Sequence, residues 1–243
     1  MNKVYACSDL HGMYNLWEQI KNYCDETDKI YFLGDAADRG PEGFKMILEL
    51  LGDERVIYLK GNHEDMFSIV MSEYIKEDHL ENLQWWMSNG GSPTFSAAKE
   101  RENNVLLSLI HIIDNLPEFV MYESPKGHKV FLSHAGTDLN YNKSELEYMG
   151  RKNPYIWDRR HFHAEHPADM PEVYQVHGHT PVEYLCECLY KPYKNEVVSY
   201  CDGHKYDIDL GAFYTCKTAL IDLDTFEVKY FFDEETFKKI NTV

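Results

Sequence analysis

The residues with the most capacity for chemistry are concentrated in one stretch, Gly34-Asp35-Ala36-Ala37-Asp38-Arg39-Gly40-Pro41. Two carboxylates and a guanidinium crowded together make a poor structural turn but a good site for a divalent cation beside a phosphate. The apolar run Ile30-Tyr31-Phe32-Leu33 before it has the length and the bounding turn residues of a short buried strand. Pro41 suits the first position of a helix and Glu42 its first turn. The stretch is therefore predicted to join the carboxyl end of a strand to a helix, where open α/β sheets hold ligands. Taken alone, it also fits an Asx-type turn carrying a solvated Arg.

The elements that must position it recur along the chain. Residues 3–8 alternate as a strand and run into Ser8-Asp9-Leu10-His11-Gly12, followed by a helix with Leu16, Ile20 and Tyr23 on one face. After the central stretch, Phe44, Ile47, Leu48 and Leu51 mark a second helix, ending at Gly52-Asp53. Residues 55–60 form a third strand, leading to Gly61-Asn62-His63-Glu64. Strand, polar loop and helix thus follow one another three times. That pattern predicts right-handed βαβ units, a parallel sheet and three loops along one sheet edge. Residues 65–116 read as helical, with Trp85 and Trp86 as core and Asn89-Gly90-Gly91 as a break. Further strands, Lys129–Leu132 and Val173–Val176, end in Ser133-His134-Ala135-Gly136 and His177-Gly178-His179-Thr180. Strands over 197–200, 218–221 and 228–232 are expected to form a meander, as a second sheet packed on the first. The expected fold is α/β, with two mixed β-sheets packed as a sandwich and flanked by helices, in one domain over 1–243.

The chain carries 24 Lys and Arg against 41 Asp and Glu, a net charge of −17. That balance disfavours nucleic-acid backbones and anionic membranes as partners. A phosphorylated substrate would need a local positive site, which bound cations provide. No signal peptide and no membrane-length apolar run are visible. The six scattered cysteines suit reduced thiols in the cytoplasm.

Five strand-end loops carry Asp9 and His11, Asp35, Asn62 and His63, His134, and His179. A lone buried His is more often a hydrogen-bonded core residue than a ligand. Five such loops, all with oxygen or imidazole donors and no thiolate, point instead to a borderline-to-hard divalent metal such as Mn²⁺, Fe²⁺ or Zn²⁺. Asp9-Leu10-His11, Gly34–Gly40, Gly61-Asn62-His63-Glu64, Ser133–Gly136 and Gly178-His179-Thr180 resemble the ordered motifs of the calcineurin-like metallophosphoesterases. More narrowly, they are similar to the phosphoprotein phosphatase branch with its bacterial and phage lambda members. The family fold is a four-layer αββα arrangement, like that drawn from the pattern.

The resemblance implies two divalent metal ions per chain, Mn²⁺ foremost. Asp9 and His11 would hold one, Asn62, His134 and His179 the other, with Asp35 bridging both. It further implies in-line attack by a metal-bound hydroxide, with His63 protonating the leaving oxygen and Asp38 holding its ring. Arg39 resembles the family's phosphate clamp and Arg159, in Ile156-Trp157-Asp158-Arg159, a second one. The implied activity is hydrolysis of phosphomonoesters, foremost phosphoserine and phosphothreonine in proteins. The alternative is symmetrical cleavage of a dinucleoside polyphosphate. In nucleotide hydrolases of this type the position matching Asp38 is commonly Ala, which favours the phosphoprotein reading here. An inactive phospho-binding scaffold should have lost a ligand or the acid, and none is lost.

Two segments have no counterpart in the pattern. The stretch from His161 to His166 reads as solvated loop histidines, or as residues at the mouth of the site. Cys186 and Cys188, facing one way if on a strand, could join Cys201 and His204 in a zinc site. Reduced, partly buried cysteines are the default expectation.

Overall fold

The computed structural model describes residues 2–76, 80–139 and 153–241. Val4–Cys7 (β1), Lys29–Phe32 (β2) and Val56–Tyr58 (β3) lie side by side and parallel. Lys217–Asp222 (β9) pairs antiparallel with the free side of β1, and Val228–Phe232 (β10) pairs antiparallel with β9. The second sheet runs in the spatial order Phe119–Glu123 (β4), Lys129–Ser133 (β5), Val173–His177 (β6), Lys205–Asp207 (β8) and Val198–Tyr200 (β7). Within it β5, β6 and β8 are parallel, while β4 and β7 close the two edges antiparallel.

Strand alternation sorts the side chains into layers. Tyr5 and Cys7 of β1, with Ile30 and Phe32 of β2, join a core with Leu16, Trp17, Ile20, Ile47, Phe67 and Trp86 from the helices. Ala6 points the other way and packs with Leu33, Leu59, Val130, Leu132, Val176 and Ile221 between the two sheets. On the far face of the second sheet, Leu185 of helix Val182–Cys188 meets Phe162 and Tyr200. The result is the αββα sandwich anticipated from the chain. Among the described residues no helix is long and apolar enough to cross a membrane.

Three expectations need correction. The last strands are not a sheet of their own: β9 and β10 extend the first sheet, while β7 and β8 extend the second. Apolar alternation shows which face of a strand is buried but not which neighbour it pairs with. Cys186 and Cys188 lie on a helix, where Val182, Leu185 and Cys186 give the buried face at helical spacing and residues two apart diverge. The second helix is Gly43–Gly52 and starts after Pro41 and Glu42. In the stretch expected to be helical, 77–79 lie outside the described residues, and the rest divides into Asn62–Ile75, Leu83–Ser88, Ser92–Ala98 and Asn103–Asp114.

Candidate metal centre

Because β1, β2 and β3 are parallel, the loops after them leave from one edge. The loops after β5 and β6, also parallel, leave from one edge of the second sheet. Bonds across the sandwich hold the two edges together. His134 Nδ1 donates to Leu33 O at 2.8 Å, and the backbone N–H of His179 donates to both oxygens of Asp9, at 3.0 and 3.2 Å. Asp9, His11, Asp35, Asp38, Arg39 and His179 all have positive φ, between 44° and 70°. Left-handed backbone is uncommon for residues with a Cβ, and six cases at one edge mark stored strain of the kind that gathers at functional sites. The loops also touch too closely for larger residues: a Cβ on Gly61 would strike the Asp35 carboxylate, and one on Gly178 the Asp9 carboxylate.

Asp35 lies at the middle. Its Oδ1 is 3.3 Å from His134 Nε2, and its Oδ2 is 3.6 Å from His11 Nε2 and 3.7 Å from His63 Nε2. Asn62 Oδ1 lies 2.9 Å from His134 Nε2 and 2.8 Å from His179 Nδ1. Glu64 supports this arrangement from beneath. Its carboxylate accepts from the N–H groups of Asp35, Ala36 and Gly61 and from the Tyr58 hydroxyl, at 2.8–3.0 Å.

The donor set fits divalent cations. His11 and His134 each spend Nδ1–H on a backbone carbonyl, Ala37 O and Leu33 O, both at 2.8 Å. His11, held neutral, faces Asp35 with the lone pair of Nε2, and His134 does so once it has given up the proton it carries in the metal-free protein; that is the tautomer a metal-binding His needs. Buried His179 Nε2 has no hydrogen-bond partner among the described residues. Donor atoms 2.8–3.3 Å apart match the edges of a coordination shell with bonds of ~2.0–2.2 Å. Among the described residues two groups have the required closeness: His11, Asp35 and His63, and Asp35, His134 and His179.

Electrostatics point the same way. Burial raises Asp9 well above the usual carboxylate range, and Asp209 adds to the rise. Burial likewise lifts Asp209, to about 6. At His134 burial works downward, but the Asp35 and Asp9 carboxylates outweigh it and hold the imidazole at about 9. Burial also works against an ionised Asp35, yet His134 and His63 keep it well below the usual range. Burial and the Arg39 guanidinium lower His11. Without a cation the pocket keeps protons to balance its carboxylates, and a bound cation reverses that balance.

The other expected residues lie around this pocket. His63 Nδ1 donates to Asp38 Oδ2 at 2.6 Å. Arg39 sets Nη1 against His11 Nε2 and Nη2 3.2 Å from His63 Nε2. Arg159 is exposed and reaches Thr180 Oγ1 and His179 O at 3.1 and 3.3 Å. The first cluster gathers around His11, Asp35 and His63, while Asp9 is engaged by His179 N–H and the Ser8 hydroxyl.

Sequence reasoning missed several contributors. Trp86, read as plain core, donates its indole N–H to Asp38 Oδ2 at 2.6 Å. Asp209 follows β8, which is parallel to β6, so it stands at a further strand-end loop of the same edge; mistaking this region for a separate meander hid it. His161 is buried, not solvated, with Nε2 donating to Ala135 O at 2.7 Å behind the His134 loop. The Cys186, Cys188, Cys201 and His204 set is not among the close metal-ligating groups of the described residues. Cys201 Sγ donates to Ala164 O, and His204 stacks on His166 with ring centroids 3.8 Å apart.

The fold and this donor set are those of a metal-dependent phosphoesterase. The profile of the calcineurin-like phosphoesterases matches residues 2–211, and the chain belongs to that family. It is 26% identical over 212 residues to the asymmetrical bis(5'-nucleosyl)-tetraphosphatase PrpE of Oceanobacillus iheyensis, covering 74% of this chain and 78% of that protein. It is 24% identical to serine/threonine-protein phosphatase 2 of Salmonella typhimurium, over 83% of this chain and 89% of the other. Among solved structures, a metallophosphoesterase from Sphaerobacter thermophilus aligns with a TM-score of 0.54 at 16% identity, covering 96% of this chain and 88% of that one. A protein serine/threonine phosphatase from Saccharomyces cerevisiae aligns with a TM-score of 0.53 at 14% identity, over 96% and 81%. These structural likenesses concern the fold alone.

Proposed function

We propose that residues 1–243 act as one hydrolase domain that cleaves a phosphoric P–O bond, with dinucleoside polyphosphates as the substrate class. The observation that carries the reaction is Arg39 beside His63 at the rim of the Asp35 cluster. The nucleotide class is supported by similarity to bis(5'-nucleosyl)-tetraphosphatases of both the asymmetrical and the symmetrical kind. Asp9, His11 and Asp35 would hold one divalent cation and Asp35, Asn62, His134 and His179 a second, Mn²⁺ foremost. Such a pair lowers the pKa of water and withdraws charge from the phosphoryl oxygens.

The chain's own groups do the rest. Arg39 presents two guanidinium nitrogens to the space before His11 and His63, a fork that suits two phosphoryl oxygens. Arg159 adds positive charge beside His179. The attacking water gives one proton to solvent; as the bond from its oxygen to phosphorus forms, the opposite P–O bond breaks, and the leaving oxygen takes the Nε2 proton of doubly protonated His63. Asp38 keeps the other ring nitrogen protonated and the ring oriented.

A second reading, phosphoserine and phosphothreonine in proteins, is favoured by the buried Asp38–His63 pair itself. A serine alkoxide leaves with more need of a proton than a nucleotide phosphate does. The test is a panel on Mn²⁺-loaded protein: diadenosine tetraphosphate, phosphoserine and phosphothreonine peptides, and an aryl phosphate. We expect the highest kcat/KM on diadenosine tetraphosphate. A preference of tenfold or more for phosphopeptides would overturn the nucleotide reading in favour of the second.

A further inference from the structure

Arg39 has a second neighbourhood. Besides facing His11 and His63, it forms one wall of a hollow of about 420 Å³ with Met87, Asn89, Gly90, Phe213 and Tyr214. We propose that this hollow is the nucleoside subsite, receiving the base and ribose attached to the phosphate that Arg39 grips. This rests on the nucleotide reading above and adds to it the place where the nucleoside is recognised.

Four features support the assignment. The volume falls in the range of small-ligand pockets, ~300–1,000 Å³. One wall is aromatic: Tyr214 is 69% exposed, a large ring left in solvent at the border of the centre. It stands edge-on to Phe213, with centroids 5.1 Å apart. A free ring face of this kind is what a nucleobase stacks on, whatever the base. The lining also offers a polar contact. Asn89 Nδ2 is held by Trp85 O at 2.8 Å, which leaves its Oδ1 as an acceptor for an exocyclic amine.

The frame is also stiff. Arg39 N–H donates to Gly90 O at 2.9 Å. Gly90 has φ +94°, and a Cβ there would run into the Arg39 side chain, so only glycine lets the turn lie against it. On the other side, Tyr214 sits in the helical turn Ala212–Thr215, closed by left-handed Gly211 and Cys216. A preorganised slot loses less ordering entropy on binding than a mobile loop would. A larger hollow, about 690 Å³ between His163–Pro171 and Cys201–His204, has no residue of the candidate centre on its walls and so does not adjoin the place where the phosphate would be cleaved.

The experiment measures binding of AMP, inorganic phosphate and a phosphoserine peptide to the Mn²⁺-loaded protein by titration calorimetry. Tyr214→Ala and Tyr214→Phe are compared with wild type, and cleavage of diadenosine tetraphosphate is followed separately. Loss of one stacked base is expected to weaken AMP about tenfold in Tyr214→Ala, with inorganic phosphate unchanged and Tyr214→Phe close to wild type. Equal AMP affinity in all three proteins overturns the subsite, even if the dinucleotide is cleaved. Tyr214-dependent AMP binding without dinucleotide cleavage supports the subsite and overturns dinucleotide hydrolysis as the reaction. A loss of peptide rather than AMP affinity in Tyr214→Ala would give the hollow to a peptide and overturn the proposal.

Discussion

Trp86→Phe separates positioning of the acid from mere packing. The indole N–H of Trp86 and Nδ1–H of His63 both meet Asp38 Oδ2, each at 2.6 Å. Asp38 and Trp86 are fully buried, and Asp38 Oδ1 has no hydrogen-bond partner among the described residues. Phenylalanine keeps most of the packing against Phe67 and Phe95 but removes one of the two groups that fix the carboxylate. A hydrogen bond to a buried charge contributes ~1.5–3 kcal/mol, and the smaller ring adds ~1 kcal/mol for the space left. A stability loss of about 2.5–4 kcal/mol follows. Correct placement of a general acid contributes ~10²–10⁴-fold in rate. Loosening one of two anchors should forfeit about tenfold of that on an alkyl phosphate, and less on a nitroaryl phosphate whose leaving group needs little protonation. The assay is kcat on both substrates at matched metal content, with thermal unfolding alongside. A fall in stability with equal kcat losses on the two substrates, or with none, would refute the positioning role and return Trp86 to the core.

Other expectations follow from the same geometry. Asp35→Asn should lower occupancy of both metal positions and nearly abolish turnover; two metals per chain by elemental analysis and ordinary activity would remove Asp35 from the bridge. Arg39→Ala should cost ~2–4 kcal/mol in kcat/KM, and Arg39→Lys less, because lysine keeps charge but not the fork; unchanged activity and phosphate inhibition in Arg39→Ala would assign the guanidinium to a salt bridge only. Mn²⁺ binding at pH 7 should release about one proton or more per chain, because His134, held at about 9, must give up its proton to act as a ligand; calorimetry in buffers of different ionisation enthalpy reads this directly. In metal-free protein the raised Asp209 works against the fold: unfolded it ionises near 3.8 and folded near 6, so stability should fall as pH rises between those values. Mn²⁺ or Asp209→Asn should flatten that fall, and an unchanged slope in Asp209→Asn would remove Asp209 as its source.

The family and most of the residues gathered at the candidate centre were legible in the chain because strand-end loops advertise themselves. Asp9, His11, Asp35, Asn62, His63, His134 and His179 each stand just past an apolar strand, and parallel strands bring their carboxyl ends to one edge. Alternation within Tyr5-Ala6-Cys7 likewise determined which side chains face helices and which face the other sheet. Tertiary structure alone decided the rest, because it depends on partners far apart in sequence. Trp86 and Asp38 are 48 residues apart, and neither residue type signals the bond. Asp209 reached the site only once β8 had paired parallel with β6, a choice of neighbour that periodicity does not encode. His161 looked solvated in a polar stretch and is buried because the Ala135 carbonyl lies within 2.7 Å of its ring. A local pattern specifies the direction in which a side chain points, and long-range pairing specifies what it finds there.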